Sequence, residues 1–154
     1  MKVIERKASD NKYLHRDFHI SMNMLMDYIC STFGERALIE YLMEFSSEFH
    51  IPRKEYLIEN DLVSLEAYFK DIYEKEEWPV EITMADGELV ITQESCPGIS
   101  HIRKAGLEPI RQYRETYGTI YSTMCSGTPY EYILENFDDE TGACRQRFSR
   151  RGAL

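Results

Sequence analysis

The sequence predicts an α+β fold: a four-stranded antiparallel sheet made of two hairpins, with an N-terminal helical hairpin and further helices packed on one face. Two patterns predict it. Between residues 17 and 75, apolar residues recur every three or four positions, the period of helices with one buried face. Within 80–91 and 130–149, apolar and polar residues alternate on either side of short turns, as in antiparallel hairpins. Helices and strands come in separate blocks, which favours α+β over an alternating parallel fold.

The size and charge of the chain limit the number of domains and the kinds of partner that we expect. Its 154 residues, 43% of them hydrophobic, suit a single domain over 1–154, with an N-terminal extension at 1–12 and a C-terminal tail at 150–154. The net charge of −9 argues against nucleic acid as a partner, because nucleic-acid binding needs a basic surface. No apolar run approaches the ~20 residues of a membrane span, and no secretory signal is evident. We therefore expect no membrane partner and a cytoplasmic location.

Three helices are expected first. Apolar periodicity predicts helices at 17–33 and 35–49, separated by Gly34 and joined as an antiparallel hairpin, with Pro52 ending the second. A third helix is expected at 62–75, capped by Asn60 or Asp61. The positions expected to be buried in the first two helices are Phe18, Met22, Leu25, Met26, Ile29, Phe33, Leu38, Tyr41, Leu42, Phe45 and Phe49.

The Asp86-Gly87 dipeptide predicts the first hairpin. A two-residue Asp-Gly loop favours a type I′ turn. That turn pairs Met84 with Leu89, and it places Ile82 opposite Ile91 on the same apolar face.

The second half of the chain is expected to repeat the order of helices and strands. A short helix at 97–105, closed by Gly106, precedes a longer helix at 109–126. A second hairpin then ends with a strand at 143–149. On that strand Cys144, Gln146 and Phe148 face the core, whereas the side chains of 145 and 147 point outward.

Cys96 is the leading candidate for chemistry. It precedes Pro97 at the predicted N-terminus of a helix, where unpaired backbone N–H groups and the helix dipole favour a thiolate. A thiolate there would be a nucleophile or a metal ligand. The alternative interpretation is a small, buried capping residue with an ordinary thiol.

Histidines and further cysteines give a second set of candidates. His15 and His19 lie four residues apart, so that both imidazoles share one helix face, as in helical metal-binding pairs. An acid–base role and a structural role are the alternatives. Cys125 and Cys144 are candidate metal ligands together with Cys96 and His15, and zinc is the metal that such a set would take. The absence of a C-x-x-C spacing favours instead small core residues at these cysteines.

Tyr113, Tyr117 and Tyr121 share one face of the predicted long helix. They would line an apolar pocket for a small organic ligand, or they would pack in an ordinary core.

Short motifs in a fixed order carry a family resemblance. They are His15-Arg16-Asp17-Phe18-His19, Gly34-Glu35, Glu94-Ser95-Cys96-Pro97 and Gly142-Ala143-Cys144. In this order, residues 13–149 resemble the L-2-amino-thiazoline-4-carboxylic acid hydrolase-like family and, more distantly, the 4-vinyl reductase domain. The resemblance implies a ligand pocket between helices and sheet, and the matching positions are Cys96, Cys144 and His15.

Three functions follow as expectations. Resemblance to the hydrolase family implies hydrolysis of a small cyclic C–N bond, with Cys96, His15 and His19 as catalytic residues. Likeness to the 4-vinyl reductase domain implies a non-catalytic domain that binds a small molecule or a metal. The many apolar aromatic residues leave a homodimer as the third expectation.

Overall fold

The structure, a computed structural model, describes residues 15–152, and the side chains of residues 15–17 are outside the described part. Within 15–152 the chain forms five α-helices and four β-strands, so that the predicted α+β class is confirmed. The expected extension at 1–12 lies outside the described residues. The helices are α1 (His15–Phe33), α2 (Glu35–Phe49), α3 (Ile51–Lys75), α4 (Pro97–Lys104) and α5 (Glu115–Cys125). The strands are β1 (Glu81–Ala85), β2 (Glu88–Gln93), β3 (Tyr130–Glu135) and β4 (Cys144–Arg150).

Helices α1 and α2 form the predicted hairpin, and α2 spans the predicted residues. One cluster of apolar side chains, buried between these helices and α5, holds the hairpin on the rest of the molecule. The prediction of burial is wrong at Phe18, Leu25, Phe33 and Phe49, which are between 39% and 65% exposed. Phe18 and Phe49 line an open cavity instead of a filled core, and Phe33 contacts Tyr28 at the surface.

Helix α3 is longer than the sequence predicts, because it begins at Ile51. Pro52 therefore lies in the first turn of α3 and does not serve to end α2; no backbone donor is lost in a first turn. Asp61 interrupts α3 with a non-helical backbone (φ 62°, ψ −170°), and its carboxylate accepts hydrogen bonds from the Leu62 amide and the Tyr130 hydroxyl. The boundary predicted at Asn60 or Asp61 is thus a kink between two helical segments.

The two hairpins join into one antiparallel sheet with the strand order β1-β2-β4-β3. Met84 pairs with Leu89 and Ile82 with Ile91, as predicted. Asp86 and Gly87 both have positive φ, 54° and 78°, as a type I′ turn requires.

One face of the sheet is buried under α3 and α5. Leu89, Ile91, Tyr132 and Phe148 point into this core, where Phe148 meets the ring of Phe69 from α3. Cys144 and Gln146 lie on the same buried face, as predicted. On the other face Arg145 and Arg147 form ion pairs with acidic residues of the neighbouring strands.

The chain between α4 and α5 differs from the prediction. The helix expected at 109–126 is an α-helix only from Glu115 to Cys125, and a 3-10 turn at Arg111–Arg114 precedes it. Pro109 lies before both, so its expected place in the first helical turn is wrong. The turn still brings Tyr113 into the core, where it is 4% exposed. None of the helices that the structure describes is long and apolar enough to cross a membrane.

Candidate functional site

A cavity of about 470 Å³ opens between the helices. Its walls come from α1, α2, α3 and α5, with Pro97 and Tyr113 closing one side. The resemblance implied a pocket between helices and sheet, whereas every residue that lines this cavity comes from a helix or the chain beside one. Tyr113, Tyr117 and Tyr121, which were expected either to line a ligand pocket or to pack in an ordinary core, are among the residues that line this cavity. The aromatic lining residues are Phe18, Phe45, Phe49, Tyr68, Phe69, Tyr113, Tyr117 and Tyr121.

One end of the cavity holds a buried carboxylate, that of Glu76. This residue caps the C-terminus of α3, and its side chain is 1% exposed. The Nε2 atom of His19, from α1, lies 3.0 Å from its Oε1 atom, and Nε2 of His101, from α4, lies 3.5 Å from its Oε2 atom. Because a buried carboxylate needs hydrogen-bonded or charged neighbours, the contacts from α1 and α4 explain how this charge is accommodated. We call His19, Glu76, His101 and Tyr113 the Glu76 end.

Tyr113 extends this network. Its hydroxyl lies 3.2 Å from Nδ1 of His19. Both contacts of His19 are satisfied when the Tyr113 hydroxyl donates to Nδ1 and the Nε2–H group donates to Glu76. Burial raises the pKa of the Tyr113 hydroxyl, which keeps this proton in place.

Gly98 leaves the space for this contact. A Cβ atom at residue 98 would overlap the Tyr113 hydroxyl and would lie 2.7 Å from Nδ1 of His19. The backbone of α4 can therefore approach the His19–Tyr113 pair only if residue 98 is glycine.

Cys96 belongs to a separate, buried network. It caps α4 as predicted, is 1% exposed, and is not among the residues that line the cavity. Its sulfur lies 3.0 Å from the Tyr117 hydroxyl, and that hydroxyl is bonded by Gln93, whose amide also donates to the carbonyl of Gly142. Burial raises the pKa of the Cys96 thiol, with hydrogen bonds from Tyr117 and the α4 backbone as weaker opposing effects. This direction of the pKa runs against the thiolate expected at Cys96 and favours the alternative interpretation, a buried capping residue that stays a thiol.

The opposite end of the cavity contains His50, at the junction of α2 and α3. The Ser46 hydroxyl donates to the carbonyl of Ile120, so His50 donates through Nδ1 to Ser46. The pKa of His50 is lowered from 6.5 to about 4, mainly by burial; the positive charges of Arg53 and Lys54 act in the same direction, and the hydrogen bond to the Ser46 carbonyl acts against them. We call His50, Ser46 and these two cations the His50 end.

The predicted metal ligands do not converge in the described part of the chain. Within it, no group of three or more His, Cys, Asp or Glu side chains is arranged to hold a metal ion. Cys125 and Cys144 are buried thiols, and burial raises the pKa of each to about 12. The side chain of His15 lies outside the described residues. The second predicted histidine, His19, does reach the cavity.

Sequence reasoning missed Glu76 and the partner role of His101. Glu76 belongs to an acidic run, Glu74-Lys75-Glu76-Glu77, which reads as a solvated helix end. The signal that could have found it is the phase of α3: Phe69, Tyr73 and Glu76 follow one another at the spacing of a buried stripe.

Comparison with known proteins finds no protein-family profile and no curated protein that matches this chain. The chemistry must therefore be inferred from the site itself. At the Glu76 end, hydrogen bonds connect Tyr113, His19 and Glu76, so that a carboxylate orients the imidazole, and the aromatic walls can enclose an apolar ring.

Proposed function

We propose that this protein binds a small, largely apolar organic molecule in the cavity between its helices. The observation that carries the proposal is the cavity itself, about 470 Å³ and walled by aromatic rings with polar groups at two ends. Voids inside proteins rarely exceed the size of a water molecule. Ligand pockets are typically ~300–1,000 Å³ and mostly apolar with a few polar groups.

Exposed aromatic residues on the wall support a ligand rather than a packing defect. Phe18 and Phe49 keep 41% and 62% of their surface accessible although they belong to the apolar stripes of α1 and α2. Phe49 stacks on Phe45 with ring centroids 5.3 Å apart, so its ring is held in place beside the opening. A bound ring would cover this apolar surface, worth about 25 cal/mol for each Å² removed from water.

A cavity-filling variant tests the proposal. Ile72 lines the cavity, and Ile72→Trp would fill part of it. Ile58 lies on the same helix and is 56% exposed, so Ile58→Trp is the matched control. We expect indole derivatives at about 100 times their Kd to stabilise wild type and Ile58→Trp by about 2.7 kcal/mol, and to leave Ile72→Trp unshifted. The measurement is the thermal unfolding midpoint with tryptamine, indole-3-ethanol and indole-3-propionate.

Two results would contradict the proposal. One is the absence of a shift in wild type with every indole derivative. The other is an equal shift in both tryptophan variants, which would place binding outside the cavity.

Hydrolysis of a small cyclic C–N bond is a second candidate function. The hydrogen-bonded order Tyr113, His19, Glu76 favours it, because a histidine oriented by a carboxylate is a common general base. In this proposal the Tyr113 hydroxyl turns away from Nδ1 of His19, and that nitrogen takes one proton from a water whose oxygen adds to the ring carbon of the C=N bond. The ring nitrogen then receives that proton from His19. The ring C–N bond breaks as the added hydroxyl gives its own proton to the departing nitrogen and becomes a carbonyl.

The test separates His19 from Cys96. With 2-amino-2-thiazoline-4-carboxylate as the probe, His19→Gln should abolish turnover, while Cys96→Ser retains it. Loss of turnover in Cys96→Ser alone would instead support the sequence-based assignment of Cys96 as nucleophile. Absence of turnover by wild type would contradict hydrolysis of this probe.

A further inference from the structure

We infer that the ligand of the cavity is an organic cation, an aromatic or otherwise apolar amine whose nitrogen binds at the Glu76 carboxylate. This inference rests on the proposed binding function and adds the charge and the orientation of the ligand. It follows from how charge is distributed along the cavity wall.

The carboxylate of Glu76 lies at the wall with 1% of its side chain exposed. None of the described residues that line the cavity is Lys or Arg. His19 donates one hydrogen bond to Glu76 through Nε2. Glu76 is the acidic member of the described lining residues, and weak solvent screening there makes charge interactions with it stronger than in water.

The walls favour a cation as well. The faces of Phe and Tyr rings carry negative electrostatic potential and attract a cation within about 6 Å. Tyr113 belongs to the Glu76 end, Tyr73 precedes Glu76 by one turn of α3, and Tyr117 lines the same cavity. A carboxylate surrounded by aromatic rings is the usual chemistry of sites for organic ammonium groups.

An anionic ligand is the main rival. Its carboxylate would be repelled at the Glu76 end, so it would have to bind at the other end, where Arg53 and Lys54 act on His50. Neither Arg53 nor Lys54 lines the cavity, and Arg53 lies 3.8 Å over the ring of the lining residue Tyr68. His50 itself stays neutral near pH 7 because its pKa is lowered to about 4. The His50 end therefore offers an anion weaker attraction than the Glu76 end offers a cation.

Calorimetric titration with three probes of the same ring tests the inference. Tryptamine is a cation at pH 7, indole-3-ethanol is neutral and indole-3-propionate is an anion. We expect tryptamine to bind wild type about tenfold more tightly than the alcohol, because its ammonium group would pair with the Glu76 carboxylate and contact the aromatic rings. The acid should bind most weakly.

Glu76→Gln and Glu74→Gln form a matched pair. Both remove one negative charge from the end of α3, but Glu74 is exposed and does not line the cavity. Glu76→Gln should bring the tryptamine and alcohol affinities to within about twofold of each other, and Glu74→Gln should leave the wild-type ratio unchanged. The wild-type ratio needs no variant, so the inference stays testable if Glu76→Gln does not fold.

The outcomes separate the inference from the binding function. Equal affinities for amine and alcohol, or tightest binding of the acid, would overturn the organic cation and leave the binding function standing. A tenfold preference that persists in Glu76→Gln would overturn the role of Glu76. Failure of all three probes to bind wild type would contradict the binding function itself.

Discussion

The two ends of the cavity each present a histidine, and the two histidines have opposite surroundings. His19 contacts a buried carboxylate and the Tyr113 hydroxyl, whereas His50 contacts the uncharged Ser46 and is flanked by Arg53 and Lys54. The same side chain therefore helps to hold a negative charge at one end, and it is kept neutral at the other. The neighbours of each histidine thus give the cavity its polarity, and this polarity would orient a ligand.

The largest expected effect concerns the titration of His50. Its pKa in the folded protein, about 4, lies below the ordinary 6.5, so the unfolded chain takes up the proton first as the pH falls. The contribution of the neutral ring to stability is full above about pH 6.5 and is lost as the pH falls toward 4. Between pH 7 and pH 4 we expect wild type to lose about 3 kcal/mol more than His50→Asn, which keeps a donor but does not titrate.

Urea unfolding of both proteins at the two pH values measures this difference. Parallel losses in wild type and His50→Asn would show that His50 is as easily protonated as a histidine in water. The contrast between the two ends would then fail.

A medium effect is expected from Gly98→Ala at the Glu76 end. The added methyl group would displace Tyr113 and His19, which we expect to lower stability by about 2 kcal/mol and to weaken tryptamine binding. Gly118→Ala is the control, because Gly118 also lies in a helix and a Cβ there would come no closer than 3.4 Å to its neighbours. That variant should be neutral or more stable by up to about 1 kcal/mol.

Chemical denaturation and calorimetry check both glycine variants. Equal behaviour of Gly98→Ala and Gly118→Ala would mean that the close approach of α4 to the His19–Tyr113 pair does not shape the site.

The smallest effect is expected at Cys96, which lies outside the cavity wall. Cys96→Ser keeps a small polar cap that can bond the Tyr117 hydroxyl, so tryptamine affinity should change by less than about twofold. The native thiol should also react slowly with iodoacetamide at pH 7, because burial raises its pKa. Rapid alkylation in the folded state would show an accessible thiolate and would restore Cys96 as the reactive group.

Local signals made much of the fold predictable. The Asp86-Gly87 turn fixed the register of the first hairpin, and Gly34 separated two helices with strong apolar periods. The sequence does not predict a helix over 51–60, because Pro52 indicates a helix end and residues such as Tyr56 and Ile58 lie exposed without forming a buried stripe. Because the first turn of a helix tolerates proline, a proline can mark the start of a helix as well as the end of the preceding one.

The site was less predictable than the fold. The spacing of Tyr113, Tyr117 and Tyr121 on one expected helix face indicates these lining residues, although Tyr113 lies in the 3-10 turn before α5. His19 is indicated by its spacing from His15. Glu76 and His101 lie 57 and 82 positions after His19 in the chain, and tertiary packing brings them together. A local sequence pattern cannot indicate a contact over such separations. Cys96 was overvalued because its helix-capping position is visible in the sequence, whereas its burial is not.

A crystal structure of the wild-type protein with tryptamine would show both the occupant of the cavity and its orientation. We expect an indole ring between the aromatic walls and an amine nitrogen about 2.8 Å from a carboxylate oxygen of Glu76. A nitrogen directed toward His50, or a ligand seated outside the cavity, would contradict it.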